Sequence, residues 1–271
     1  MLREAFEYLT TPCPPLARRY GYLAELVALG ARHRRQRRSW APHLAACRHF
    51  VADAAARAAP GGRAMVAGSG LLLEVPLAEL AARFREVVLV DMLHARSVRR
   101  QARQFSNVQL VEWDVSGTLQ ALDAALARGG PLPPADRPPL LPGERFSFAI
   151  SCNLLSQIPL LPLDAIERRA PAILDAERLT FAHALGHAHL EWLDRSADRA
   201  ALFTDTESLW LRGGAIEERE DSLWGLELPA PDVQWLWDIA PAPEQDRRLD
   251  LRHSVGGWFD VRTVTAGVNL C

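Results

Sequence analysis

Four short apolar runs in the middle of the chain constrain its fold more than any other feature. They are Arg63–Ala67, Val87–Val90, Val108–Trp113 and Phe146–Ser151, each separated from the next by an amphipathic stretch. Short apolar runs alternating with helix-patterned segments are the signature of βαβ units on a parallel sheet. Leu77, Leu80, Ala81 and Phe84 fall at i, i+3, i+4 and i+7, with Pro76 suited to a first turn, so a helix follows the first run. Further helices are expected over His94–Phe105 and Thr118–Ala127, and over a long region from Asp164 to about Arg199 broken at Pro171. Ala200–Thr204 reads as a fifth strand, and Val233–Ile239 with Trp258–Val264 as an antiparallel pair at the sheet edge.

What surrounds this middle is simpler. Residues 1–60 are rich in Ala, Leu and Arg and read as short helices punctuated by Pro12, Pro14, Pro15 and Pro42, a helical cap ahead of an α/β domain over 61–271. The Pro/Gly-rich stretch from Gly129 to Gly143 is long enough to be an insertion or mobile flap over the cleft.

The places where the runs stop carry the functional argument. In open α/β sheets, ligands bind beyond the carboxyl ends of the strands, near the switch in strand order. The first run ends in Gly68-Ser69-Gly70, the second at Asp91, the third at Asp114 and the fourth near Asn153. A Gly-x-Gly turn admits close backbone approach to a ligand. A carboxylate at Asp91 can accept from both hydroxyls of a ribose, and one at Asp114 from an adenine amino group. Each also has a structural reading as a helix or turn cap. Asp205 closes the fifth run and faces the same side.

With those residues in place, "AMVAGSG", "VVLVDMLH", "VEWDVSG" and "FAISCNLLSQIP" resemble, in order and spacing, motifs I to IV of class I S-adenosylmethionine-dependent methyltransferases, and "GSGLLLEVPLAEL" through "VDMLH" is similar to a little-characterised bacterial branch of that superfamily. The resemblance covers roughly residues 60 to 160. It implies a Rossmann-like seven-stranded sheet of order 3-2-1-4-5-7-6, mostly parallel with an antiparallel last strand, and S-adenosylmethionine as cofactor. The cofactor would be held by Ala67, Gly68, Ser69, Gly70, Asp91, Met92, Asp114, Val115 and Asn153. Two positions depart from the family's pattern: Val66 stands where an acidic residue is usual, and Leu72 replaces the third glycine. Glu74 or a backbone carbonyl could supply the missing contact to the methionine amino group. A nicotinamide-binding turn would instead want glycine at Leu73.

The acceptor is less legible. Methyl transfer is mainly a matter of positioning donor and acceptor, so it leaves little motif behind. His187, Asn153 and Asp205 are the candidate catalytic residues, His187 as a general base of near-neutral pKa. His183 and His187 share a helix face at i, i+4, but no third ligand is apparent, and no metal is expected. Asn153 does not lie in the Asp/Asn-Pro-Pro-aromatic motif of enzymes that methylate amino groups of nucleic-acid bases. The run from Arg32 to Arg38 is a candidate nucleic-acid face, with a solvated basic face as the simpler reading.

A net charge of −2 gives no global attraction to nucleic acid or anionic membranes. All 31 basic residues are arginine, which excludes lysine chemistry. Cys13, Cys47, Cys152 and Cys271 show neither disulfide-framework nor zinc spacing. Neither a secretory signal nor a membrane span is apparent, so a cytoplasmic protein with a small-molecule methyl acceptor is expected. An RNA or protein methyltransferase, and a catalytically inactive binding or regulatory protein, are the alternatives.

Overall fold

A computed structural model describes residues 2–135 and 138–267. Helices α1 (Leu2–Thr10), α2 (Pro15–Tyr20), α3 (Tyr22–Arg35) and α4 (Arg37–Ala56) come first. The α/β alternation then begins: β1 (Arg63–Ala67), α5 (Leu77–Arg83), β2 (Glu86–Asp91), α6 (Arg96–Ala102), β3 (Val108–Glu112), α7 (Leu119–Arg128) and β4 (Phe148–Cys152). Helices α8 (Leu160–Arg169) and α9 (Asp175–Ser196) lead to β5 (Ala200–Arg212), β6 (Ala215–Asp221), β7 (Val233–Ala240), β8 (Asp250–Trp258) and α10 (Val261–Gly267).

Among the described residues the sheet has eight strands in the order β3-β2-β1-β4-β5-β8-β7, with β6 paired to β5 off this path. The pairs from β3 to β5 are parallel, and β8 runs antiparallel to both β5 and β7. With β6 set aside as a hairpin extension of β5, this is the 3-2-1-4-5-7-6 order expected from the motifs. The fold is a Rossmann-like sheet, mostly parallel, with β8 antiparallel to its neighbours.

The central strands β1, β2 and β4 are buried on both faces, and the period of two along them divides their side chains between two cores. Ala64 and Val66 of β1, Val87 and Leu89 of β2, and Phe148 and Ile150 of β4 join Trp40, Phe50 and Val51 on one face. Met65, Ala67, Val88, Val90 and Ala149 join Leu122, Leu185 and Trp192 on the other. Helix α4 is part of the first core and packs along β7.

Several expectations change. The segment over Trp258–Val264 is not a strand: β8 ends at Trp258, and α10 follows because the Asp260 carboxylate accepts from the Arg262 amide and caps it. Helix α4 runs through Pro42, which lies in its second turn, where the missing N–H forfeits one hydrogen bond near the helix start. Strand β5 continues well past Thr204, because the β6 hairpin pairs with its outer half. The break at Pro171 falls between α8 and α9. Asp136 and Arg137, within the expected flap, and Cys271 lie outside the described residues.

Candidate functional site

A cavity of about 600 Å3 opens at the carboxyl ends of β1 to β4, where the chain, after building β1, β2 and β3 to one side, returns to place β4 on the other. That is the switch point at which an open α/β sheet binds ligands. The loops after β1 (Gly68 to Gly70), β2 (Asp91, Met92) and β3 (Asp114, Val115) form its floor. Asn153 and Leu154 close it after β4, and α3 and α4 form its roof through Tyr22, Leu26, Trp40 and Leu44.

The first loop depends on its backbone conformation. Gly68 has φ +75°, and a Cβ there would lie 2.6 Å from Leu154 Cγ and 2.7 Å from the Cys152 carbonyl oxygen, so no side chain fits. Gly70 donates its N–H to Asp91 Oδ2 at 2.7 Å, and Met92 donates to Asp91 Oδ1 at 2.8 Å. Leu72, at the position of the family's third glycine, nevertheless has φ +59° while its side chain is buried in the core. The backbone thus keeps the glycine conformation, at a strain of roughly 1–2 kcal/mol.

The strand-end residues divide by role. Asp91 holds the loop through both carboxylate oxygens and lines the cavity. Burial pushes its carboxyl above the ordinary value, against the pull of the Gly70 amide and His94. Asp114 takes the capping role: Oδ1 accepts from the Ser116 amide and hydroxyl, and Oδ2 accepts from the Leu119 amide at the start of α7. It still lines the cavity, with one Oδ2 lone pair left over. Asn153, at φ +51°, accepts from the Asp205 amide through Oδ1 at 2.8 Å and donates from Nδ2 to Asp205 Oδ2 at 3.0 Å, clamping β4 to β5. Asp205 sits at a register shift between β5 and β8, behind the lining residues. Its carboxyl is raised by burial, against His253, the Asn153 amide and His43.

Ala67 is fully buried beneath the loop, while Gly68, Ser69 and Gly70, with Met92 and Val115, line the cavity. His187 does not line it. It lies half-buried on α9 with its ring edge-on to His183, 4.7 Å between centroids, and burial lowers its pKa. His189, on the same helix, is buried against β4 with Nε2 2.8 Å from the Ser151 hydroxyl. The described part of the 129–143 stretch also lines no part of the cavity. Leu132 and Leu141 pack on the opposite core, and the Pro139 carbonyl accepts from the Trp192 indole, so this stretch braces α9.

Sequence reasoning missed much of the roof. Tyr22 lies near Asp91 and Asp114, and burial and their charge raise its hydroxyl pKa. Trp40 and Trp237 line the far end, packed edge-to-face at 4.9 Å between centroids. His43 stacks on Trp237 at 4.1 Å and 7°. Its Nδ1 accepts from the Trp235 indole at 3.0 Å, and an indole only donates, so the proton of a neutral His43 sits on Nε2. That N–H donates to Glu74 Oε1 at 3.0 Å. Cys47 is close by, its thiol pKa raised by burial. The donor atoms of His43, Cys47 and Glu74 lie within 4.8 Å of one another, and hydrogen bonds run from the Trp235 indole through His43 to Glu74. Only the alternation of Trp235 and Trp237, which puts both on one face of their strand, hinted at this wall.

Glu25, Glu74, Asp91, Asp114 and Asp164 line the cavity, and among the described residues no arginine or histidine does. The basic run after Arg32 is turned elsewhere and largely paired: Arg34 to Glu4 and Glu7, Arg32 and Arg35 to Glu244.

The chain matches no family model and no curated protein. Similar solved structures include 1,6-didemethyltoxoflavin-N1-methyltransferase of Burkholderia thailandensis with 1,6-didemethyltoxoflavin and S-adenosylhomocysteine bound, at 17% identity over 92% of this chain and 94% of that one, TM-score 0.37. Others are a SAM-dependent methyltransferase from Leishmania major, at 10% identity over 93% of this chain and 81% of that one, TM-score 0.34, and an rRNA methylase from Streptococcus thermophilus, at 11% identity over 78% of this chain and 93% of that one, TM-score 0.28. Likeness at this level says nothing of reaction or substrate. No helix among the described residues is long and apolar enough to cross a membrane.

Proposed function

We propose that the protein is an S-adenosylmethionine-dependent methyltransferase acting on a small molecule. The observation that carries this reading is the cradle at the switch point: a turn where Gly68 leaves no room for a Cβ, tied by its Gly70 amide to the Asp91 carboxylate, which itself lines the cavity. Such a cradle suits a nucleoside whose ribose hydroxyls donate to Asp91 and whose base lies against Met92 and Val115. Asp114, already capping α7, would add at most one acceptor to the base. When bound, this cofactor supplies a methyl group on a positively charged sulfur, and a cavity rich in carboxylates and free of basic side chains favours that cation. The clamp between Asn153 and Asp205 fixes the end of β4 at the edge of the cavity.

The same electrostatics weigh against an RNA acceptor. A polyanion gains affinity from arginines on its path, and here those after Arg32 are engaged with Glu4, Glu7 and Glu244 away from the cavity. Calorimetry with S-adenosylmethionine tests the reading. Binding is expected in the parent, and Asp91→Asn should weaken it about tenfold or more by removing a charged acceptor. Unchanged binding in the variant, or none in the parent, would overturn the cofactor assignment.

A further inference from the structure

The cavity has two chemically distinct ends. At one, Tyr22 lies within the fields of Asp91 and Asp114. At the other, the Glu74 carboxylate meets His43 Nε2 at 3.0 Å, with the Cys47 thiol within 4.8 Å of both. The second end is built from α4 and β7, elements outside the nucleotide-binding half of the sheet, and its wall is indole and aliphatic: Trp40, Leu44 and Trp237.

Glu74 is held there with unusual care. The preceding carbonyl, that of Leu73, accepts from Arg48 of α4 at 2.6 Å, which pins the backbone of the loop. Oε1 accepts from His43 Nε2, and His43 is itself fixed by the Trp235 indole on one edge and by stacking on Trp237. A neutral imidazole brackets the carboxylate without neutralising it, so the negative charge remains available to whatever enters. Trp237 also carries a buried indole N–H that has no partner.

We infer that the Glu74 end is the methyl-acceptor pocket, and that it takes a small aromatic amine whose N–H groups donate to Glu74 while its ring lies along the indole wall. This rests on the methyltransferase reading above. An acceptor carrying a carboxylate or phosphate would meet the charge of Glu74 with no cation in the lining to receive it. An amine meets a fixed acceptor, and in its ammonium form an opposite charge in a partly desolvated site, where such hydrogen bonds are strongest. Glu74 thereby sets acceptor specificity and is not the replacement for the family's missing motif I acid.

Matched pairs of probes test this on the full chain: tryptamine against indole-3-acetate, and phenethylamine against phenylacetate, by calorimetry with and without saturating S-adenosylhomocysteine. The amines are expected to bind about tenfold or more tighter than the acids. Glu74→Gln keeps an acceptor for His43 and should preserve the fold, yet it should abolish the amine preference and leave S-adenosylhomocysteine affinity unchanged. Glu25→Gln, at the exposed mouth, should retain the preference. Amines and acids binding alike, neither binding, or a preference that survives Glu74→Gln would overturn the inference. Loss of S-adenosylhomocysteine affinity in Glu74→Gln would move this residue to the cofactor end and overturn it too. No S-adenosylhomocysteine binding in the parent would instead defeat the methyltransferase reading, with the amine preference still readable in the measurements without it.

Discussion

His189, on the helix that carries His183 and His187, acts on stability. The ring is buried to 1% exposure against the Ser151 hydroxyl, and burial lowers its pKa to about 4. The unfolded chain takes up that proton near pH 6.5. Stability from this group is therefore complete above pH 6.5 and is lost as pH falls toward 4, on the order of 3 kcal/mol over the whole interval. Urea midpoints across that range should fall more steeply for the parent than for His189→Gln; parallel slopes would remove His189 from the acid limb. Neighbouring His187 obeys the same chemistry weakly, since it is only half-buried. Both histidines lie on one helix with a single sequence pattern, and only their different surroundings separate them. Asp91 and Asp114 make a parallel case. The sequence placed each at a strand end, where the structure has them, but not the division of labour by which one ties the glycine loop and the other caps α7.

At the scale of elements, Pro42 gives the clearest test. It lies exposed within α4, so its ring contributes no core packing, while its missing N–H leaves one helical hydrogen bond unmade. Pro42→Ala should raise stability by about 1–2 kcal/mol, the gain in the helix being offset in part by a freer unfolded chain. A raised urea midpoint with unchanged slope is the expected result, and a lowered one would show that the proline fits its position. Legibility in the sequence follows burial. Strands β1, β2 and β4 are covered on both faces and read as apolar runs, so their positions agree with expectation to within a residue or two. Strand β6, Ala215–Asp221, is exposed along its length and leaves no apolar pattern to read. The start of β8 is polar and only partly buried, which drew the expected strand downstream into what is α10. The acceptor wall was illegible for another reason: His43, Glu74 and Trp235 meet only through tertiary packing, and no local spacing encodes a contact between the ends of a chain.

The whole molecule couples the cavity to its stability. The floor comes from the parallel half of the sheet and the roof from α3 and α4, so a ligand that fills the space bridges parts that otherwise meet mainly through the core. S-adenosylmethionine at a hundred times its Kd should stabilise the folded state by about 2.7 kcal/mol. For a chain of this size that corresponds to a Tm rise of roughly 5–10 °C. Thermal denaturation with and without the cofactor reads it, and an Asp91→Asn chain that gains as much as the parent would contradict the assigned cradle.

The Trp235–His43–Glu74 relay also has a consequence for biosynthesis. On the ribosome, the segments bearing Gly68, Asp91 and Asn153 emerge well before β7, so the nucleotide cradle can form while the acceptor wall has Trp40 but still lacks Trp235 and Trp237. A nascent or prematurely terminated chain would then hold a cofactor with nothing to orient its partner. On the proposed function, arrival of the late strand beneath the first helices is the step that would add choice of acceptor to binding of the cofactor.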